Sequence, residues 1–485
     1  MRLYSSRVRH WFPRGRRGFV AGSALLVLTI SIPAGGGGDA VGAVRHGAAP
    51  NIVTAANLWV GPGGRPSCVR AAIALEYAAA LAGGNVCDTG PTAYSRATLG
   101  DTVLIEGGTY TSQWNFRPSI TKTGATGTCN YNYGGAPNLS GCITFMPAQG
   151  QTVVIQVASS GQPQVRVCAN FVSIRNVTIA ETDYVDSYGD TVSNASIGVG
   201  RGDSTCQPNG GPPHDLYFAN VNYGGQAGAV GGAYNVWFVG GAATSTKNFP
   251  WQMGGQGNNG ATSYANHNGI VGMTFQGYNF ANTDSAHHHM ECIHDSPGSD
   301  HITLAGSRLL GCPTESFYAE GTSQTNLLIE NNYFDSSSPM VIGCDSNGCD
   351  FSNIIIRFNS FHGGGWRPEV VGATNTNFGG GQFYGNLGDN VCKTYGIHNP
   401  TTGGFTSRYN VATNTQIGIC VGDSTSSYGA TVSYVSPGFP NWDLDLLGPT
   451  QMADCFVPAS VSRAATDIHG NPRPMGSIDA GADER

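Results

Sequence analysis

Asn326-Leu327-Leu328-Ile329-Glu330-Asn331-Asn332-Tyr333-Phe334 and Asn353-Ile354-Ile355-Ile356-Arg357-Phe358-Asn359-Ser360-Phe361 align without a gap. Both read Asn, apolar, any, apolar, any, any, Asn, any, Phe. The alternation marks a short strand with one buried face. The second Asn marks a turn, because Asn tolerates left-handed backbone angles and can bond its own backbone or a stacked Asn. Asn332, Asn359 and Asn386 recur at 27-residue intervals. A unit of this length cannot bury its apolar face alone, and stacking on copies of itself solves that, as in a solenoid.

The pattern weakens on either side. His301 to Leu309 keeps the apolar positions without the asparagines, and Ser307 stands 25 residues before Asn332. Weaker copies begin at Asn170, Asp215 and Asn235. To about residue 425 the chain is a series of short β-rich runs punctuated by Gly, Asn, Ser and Asp. A β-sandwich or propeller also has many short strands but requires no asparagine at a fixed interval. The expected fold is all-β, a parallel β-helix solenoid. Ahead of it, Asn57 to Val60 reads as a strand. Cys68 to Leu81 reads as an alanine-rich capping helix ended by Gly83 and Gly84, and Gly100 to Tyr110 as the first full coil.

Residues 1–43 carry Arg2, Arg7, Arg9, Arg14, Arg16 and Arg17, then an apolar run from Phe19 to Ile32, then Val41-Gly42-Ala43. That is the layout of a secretory signal peptide. The apolar run is too short for a stable membrane anchor, and Pro33 follows it. Arg16-Arg17-Gly18-Phe19-Val20 also resembles a twin-arginine export motif. The expectation is a secreted, extracellular, monomeric protein with one domain over 44–485. Residues 57–110 form its cap and first coil, and 440–485 its tail.

Without residues 1–43, 18 basic residues face 30 acidic ones, which argues against nucleic acid as a partner. All 13 cysteines lie beyond the signal. Cys68 and Cys87, Cys129 and Cys142, and Cys344 and Cys349 fall at short separations and read as disulfides in an exported chain, although spacing leaves the pairing open. Cys344 to Cys349 reads as a closed loop around Asp345.

The LWV…GDTVLIEGGTY opening and the tail Asp467-Ile468-His469-Gly470-Asn471-Pro472-Arg473-Pro474, with Ile478 to Glu484, resemble the bacterial right-handed parallel β-helix proteins of the pectate-lyase-like superfamily. The resemblance covers about residues 57–485 and implies the fold. It implies little about activity, since that superfamily holds polysaccharide lyases, glycoside hydrolases, uronate epimerases and non-catalytic surface proteins.

Ionisable groups are densest in Asp284-Ser285-Ala286-His287-His288-His289-Met290-Glu291-Cys292-Ile293-His294-Asp295. If Met290 and Cys292 face the core, then His287, His289 and Glu291 face outward together. Matching Met273–Phe280 with Ile302–Leu309 at an offset of 29 carries His289 to Tyr318 and Glu291 to Glu320. Steps of 25 and 27 place Arg367 at the rank of Glu315, so it joins the row only if the register slips. His287, His289, Glu291, Tyr318, Glu320 and Arg367 are the candidate catalytic set. His288 and His294 read as turn or core histidines.

Such a set suits a lyase or epimerase on a uronic-acid-containing glycan. There, Ca²⁺ or an arginine acidifies the proton α to the carboxylate, and His or Tyr removes it. The alternatives are a glycoside hydrolase using Glu291 and Glu320 as its carboxylate pair, and a non-catalytic glycan-binding surface protein. Trp251, Trp366, Tyr333 and Phe361 are candidates for stacking on sugar, with core packing as the competing role.

Overall fold

The computed structural model describes residues 53–117, 122, 128–158, 161–200, 206, 212–230, 233–244, 251–254, 267–277, 291–296, 299–319, 323–336, 338–342, 350–363, 366–368, 379–389, 391, 406–413, 423–437, 443–447 and 457–483. The signal region and the Cys344–Cys349 loop lie outside these residues.

The repeated motif pairs in parallel with its own next copy. Leu328–Glu330 lies against Ile355–Arg357, and Tyr333–Ser336 against Ser360–Gly363, each at the 27-residue step. A third strand completes each coil. The coil that begins with Ile302–Ala305 continues through Arg308–Leu310 to Glu315–Ala319. Successive first and second strands form one bent 23-stranded sheet, and the third strands form a separate sheet of nine. The result is a right-handed parallel β-helix. Its three walls are called below the first, second and third sheets.

The alternation seen in the sequence decides what is inside. Leu327, Ile329 and Phe334, and one coil later Ile354, Ile356 and Phe361, are at most 2% exposed. Phe334 and Phe361 stack at 5.0 Å with an 8° interplanar angle, one coil step apart. Trp251 and Phe361 are buried because strand parity turns their rings into the core, and Tyr333 is buried on the outer face beneath the tail, where its hydroxyl bonds Asp445, so none of the three is available to a sugar. The Trp366 side chain lies outside the described set.

Between the first and second sheets the chain turns on a polar ladder. The Ser307 N–H donates to Asn332 Oδ1 (2.9 Å), Asn332 to Asn359 Oδ1 (3.1 Å), Asn359 to Asn386 Oδ1 (3.1 Å) and Asn386 to Asn410 Oδ1 (3.0 Å). Each Asn Nδ2 then bonds a carbonyl of the coil before, as Asn359 Nδ2 does to Ile329 O at 3.1 Å. These amides are fully buried, and the ladder satisfies them. The left-handed angle falls one residue before each rung, at Gly306, Asn331, Phe358, Gly385 and Tyr409. The ladder asparagine thus serves for its amide and not for its backbone freedom.

At the amino end, Leu58–Val60 pairs in parallel with Thr102–Ile105. The cap holds two short helices, Tyr77–Gly83 and Gly90–Arg96, in place of one helix over Cys68–Leu81. Residues 68–76 stay irregular because the Cys68–Cys87 disulfide and the Ala56–Leu75 backbone pairing hold them against the first coil. Gly84, at φ 76°, ends the first helix as the sequence indicates. Disulfides also join Cys129–Cys142, Cys168–Cys206 and Cys292–Cys312.

The tail returns over the later coils. Arg473, 5% exposed, lies over the Phe358 ring at 4.8 Å and donates to Asn331 Oδ1 (2.8 Å) and Gly481 O (2.9 Å). Ala482 N donates to Ser360 Oγ at 3.0 Å.

Candidate functional site

The third sheet sets polar and titratable side chains in one row on its outer face. Trp114, Phe116, Val165, Val167, Trp251, Met253, Ile293, Phe317 and Met340 point inward and are buried. The positions between them form one row: Asn115, Arg166, Gly198, Gly228, Gln252, His294, Tyr318, Val341 and Arg367. Neighbours along it are one strand spacing apart, about 4.8 Å.

At its centre, the rings of His294 and Tyr318 stack, centroids 5.6 Å apart and 12° from parallel. Tyr318 is half-buried, and His294 is 5% exposed. On the amino-terminal side the row passes through Gly198 and Gly228, both buried, and Pro163 lies over Gly198, where a Cβ would sit 2.8 Å from its ring. A Cβ at Gly228, where φ is 152°, would sit 1.8 Å from Gln252 O, so no side chain can rise there. The row thus runs from Arg166 through two covered glycine positions to Gln252, His294 and Tyr318 and on to the Arg367 position.

Several sequence expectations change. His287, His289 and Glu320 lie outside the described residues. The coil step is 34 residues in the first and second sheets, as in Asn268 with Ile302 and Thr274 with Arg308, but 24 in the third, where His294 meets Tyr318. The offset of 29 fits neither. The connection after Thr274–Gln276 runs to Ile293, whereas the one after Arg308–Leu310 runs only to Glu315, and this difference in length shifts the register.

Glu291 consequently does not rank with Glu320. The Cys292 N–H donates to Glu315 O at 3.0 Å, which aligns Glu291 with Glu315, and Glu291 is 8% exposed. The Arg367 position pairs with Val341, itself the partner of Tyr318, so it falls in the Tyr318 row and not three positions before it. His294, read from sequence as structural, occupies the row in place of His289. The signal that could have found it is the match of Ile293-His294-Asp295 to Phe317-Tyr318-Ala319, in which both strands place an aromatic or imidazole ring between two inward residues.

Behind the row, Asp295 points into the core. It is fully buried, accepts from Ser299 Oγ at 2.6 Å, and burial pushes its carboxyl up to about 7. Elsewhere among the described residues, Asp445, His469 and Asp483 bring potential metal-ligand atoms within 4.8 Å of one another. His469 Nε2 lies 2.8 Å from Asp445 Oδ1, and this contact raises the imidazole pKa. The group belongs to the tail, and we read it as an ion-paired anchor.

No family model and no curated protein matches the chain. Solved structures do. The chain is similar to pectate lyase Pel9A, at 14% identity and a TM-score of 0.43, over 90% of this chain and 98% of that one. It is also similar to XylC in complex with xylose, at 10% identity and 0.41, over 88% and 98%. A variant of the PL6 family alginate lyase AlyGC matches at 10% identity and 0.36, over 75% and 55%. The strand register above, not these likenesses, carries the reading that follows.

Proposed function

We propose that this chain is a secreted enzyme that acts on a uronic-acid-containing polysaccharide by elimination or epimerisation, with its chemistry on the outer row of the third sheet. The observation that carries the reading is the His294–Tyr318 stack, in register with Arg367. A pyranose ring is about as long as one coil step, so a glycan lying along the helix axis would meet successive rungs of the row.

In the elimination, one of the two stacked rings removes the proton α to the carboxylate. The C–H electron pair becomes the C4–C5 double bond. The bond from C4 to the glycosidic oxygen breaks, and that oxygen takes a proton from the other ring. An arginine paired with the carboxylate stabilises the charge that builds up in the transition state. We assign that role to Arg367. The amide, imidazole, phenol and guanidinium groups of the row suit an arginine-assisted reaction better than a Ca²⁺ site, which calls for several carboxylate or carbonyl oxygens. An epimerase would use the same first step and return the proton to the opposite face. Export is supported by the four disulfides, which persist in oxidising compartments. Among the described residues no helix is long and apolar enough to cross a membrane.

The test is the mature chain against a panel of uronate polysaccharides, with Ca²⁺ or a chelator. Unsaturated product is read by absorbance, new reducing ends by a reducing-sugar assay, and the epimer ratio by NMR. His294→Ala and Tyr318→Phe should each lower the rate on the order of 10²-fold or more, the usual size of a lost acid or base. Reducing ends without absorbance would replace the reading with a hydrolase. Silence in all three assays would leave a binding protein.

A further inference from the structure

The outer face of the first sheet holds a second groove, well away in the coil from the row just described. A strap closed by the Cys129–Cys142 disulfide lies across this sheet. Its Tyr131 packs edge-on against Trp237 at 5.0 Å, and its half-buried Tyr133 reaches Glu330. Past the strap, a cavity of about 670 Å³ opens over the sheet.

Its floor follows one register row: Trp237, Gly269, Thr303, Leu328 and Ile355. Gly269 is required there, because a Cβ would meet the Trp237 ring at 2.1 Å. Thr303, Leu328 and Ile355 are half-buried, so the floor offers an aliphatic surface and a hydroxyl. One wall is the ladder that starts each coil. There the His267 and His301 rings lie 4.3 Å apart, and Asn353 Nδ2 donates to Asn326 Oδ1 at 2.6 Å. These residues all take left-handed angles, which stand their side chains in file beside the floor.

Among the described residues at the groove, Arg357 is paired with Glu330, and Asp300 contacts His301 at 2.9 Å. Among the described lining residues a polyanion finds no arginine or lysine that is not already paired with a carboxylate, whereas a hydroxyl-rich ring finds an apolar floor and a wall of amide and imidazole edges, the mixture that orients small-molecule ligands. The wall repeats at the coil step of about 4.8 Å, so a linear glycan laid along it would present each ring to equivalent groups.

We propose that this groove is a binding site for a neutral polysaccharide segment. It would hold the protein on a glycan matrix independently of any reaction at the third sheet.

The experiment is affinity electrophoresis of the mature chain in gels containing xylan, a mixed-linkage glucan or polygalacturonate, with Thr303→Trp to fill the floor and Leu328→Ala as a milder change. The parent protein should be retarded by at least one neutral glycan. Thr303→Trp should weaken that retardation about tenfold or more, about 1.4 kcal/mol, while Leu328→Ala weakens it less. His294→Ala should be retarded like the parent, which separates this site from the proposed catalytic one. Absence of retardation by either neutral glycan, retardation only by polygalacturonate, or equal retardation of Thr303→Trp and the parent would each overturn the proposal. Circular dichroism of each variant confirms that folding is unchanged.

Discussion

A single buried acid gives this chain an unusual pH signature. Asp295 sits in the core with its carboxyl raised from an ordinary 3.8 to about 7, by burial. Between those two values the unfolded chain is ionised while the folded one keeps its proton, so stability falls as pH rises and then levels off above about 7. The size of the effect is on the order of a few kcal/mol. Asp295→Asn, which can still accept from Ser299, should flatten the dependence of the urea midpoint over this window and leave the protein more stable at pH 8. An unchanged slope would mean that Asp295 does not titrate there. His469 acts in a later window. Asp445 beside it raises its pKa above 6.5, so its contribution is full below that value and is lost as pH rises through the raised one. His469→Gln should remove a fall in tail protection, measured by amide exchange of residues 466–474, that the parent shows above neutral pH.

The polar ladder makes a similar point for a whole turn. Asn359, fully buried, accepts from the backbone and side chain of Asn332 and donates to Ile329 O. Asn359→Ala leaves several buried groups unsatisfied and should cost about 2–4 kcal/mol, read as a lowered unfolding midpoint. This element was legible in the sequence because it repeats at a constant step, and the apolar positions beside it fall where the alternation puts them. The candidate site was less legible for a related physical reason. Alternation fixes which residues of one strand point outward, but the partner strand depends on the length of the connection between coils. The long connection before Ile293 hides that step, so the sequence does not align Tyr318 with His294 and ranks Glu291 with Glu320 where the register ranks it with Glu315. Ladder asparagines report on the turn between the first and second sheets and carry no information about the third.

In the molecule as a whole, each coil touches mainly the coils beside it, so damage should stay local. Cys68→Ser with Cys87→Ser should speed amide exchange in the cap and first coil, through residue 110, and leave residues 302–363 as protected as before. A uniform loss of protection would show that the solenoid unfolds as one unit. The returning tail is the exception to this nearest-neighbour rule. Arg473 is 142 residues from Asn331, which it binds, and Ala482 is 122 residues from Ser360. The ribosome has to add more than a hundred residues after these coils before they receive their outer partners. The middle of the solenoid thus waits through that stretch of synthesis without its clasp, and a chain that stopped at Gly470 would lose Arg473, Gly481 and Ala482 together, leaving otherwise intact coils open to proteases.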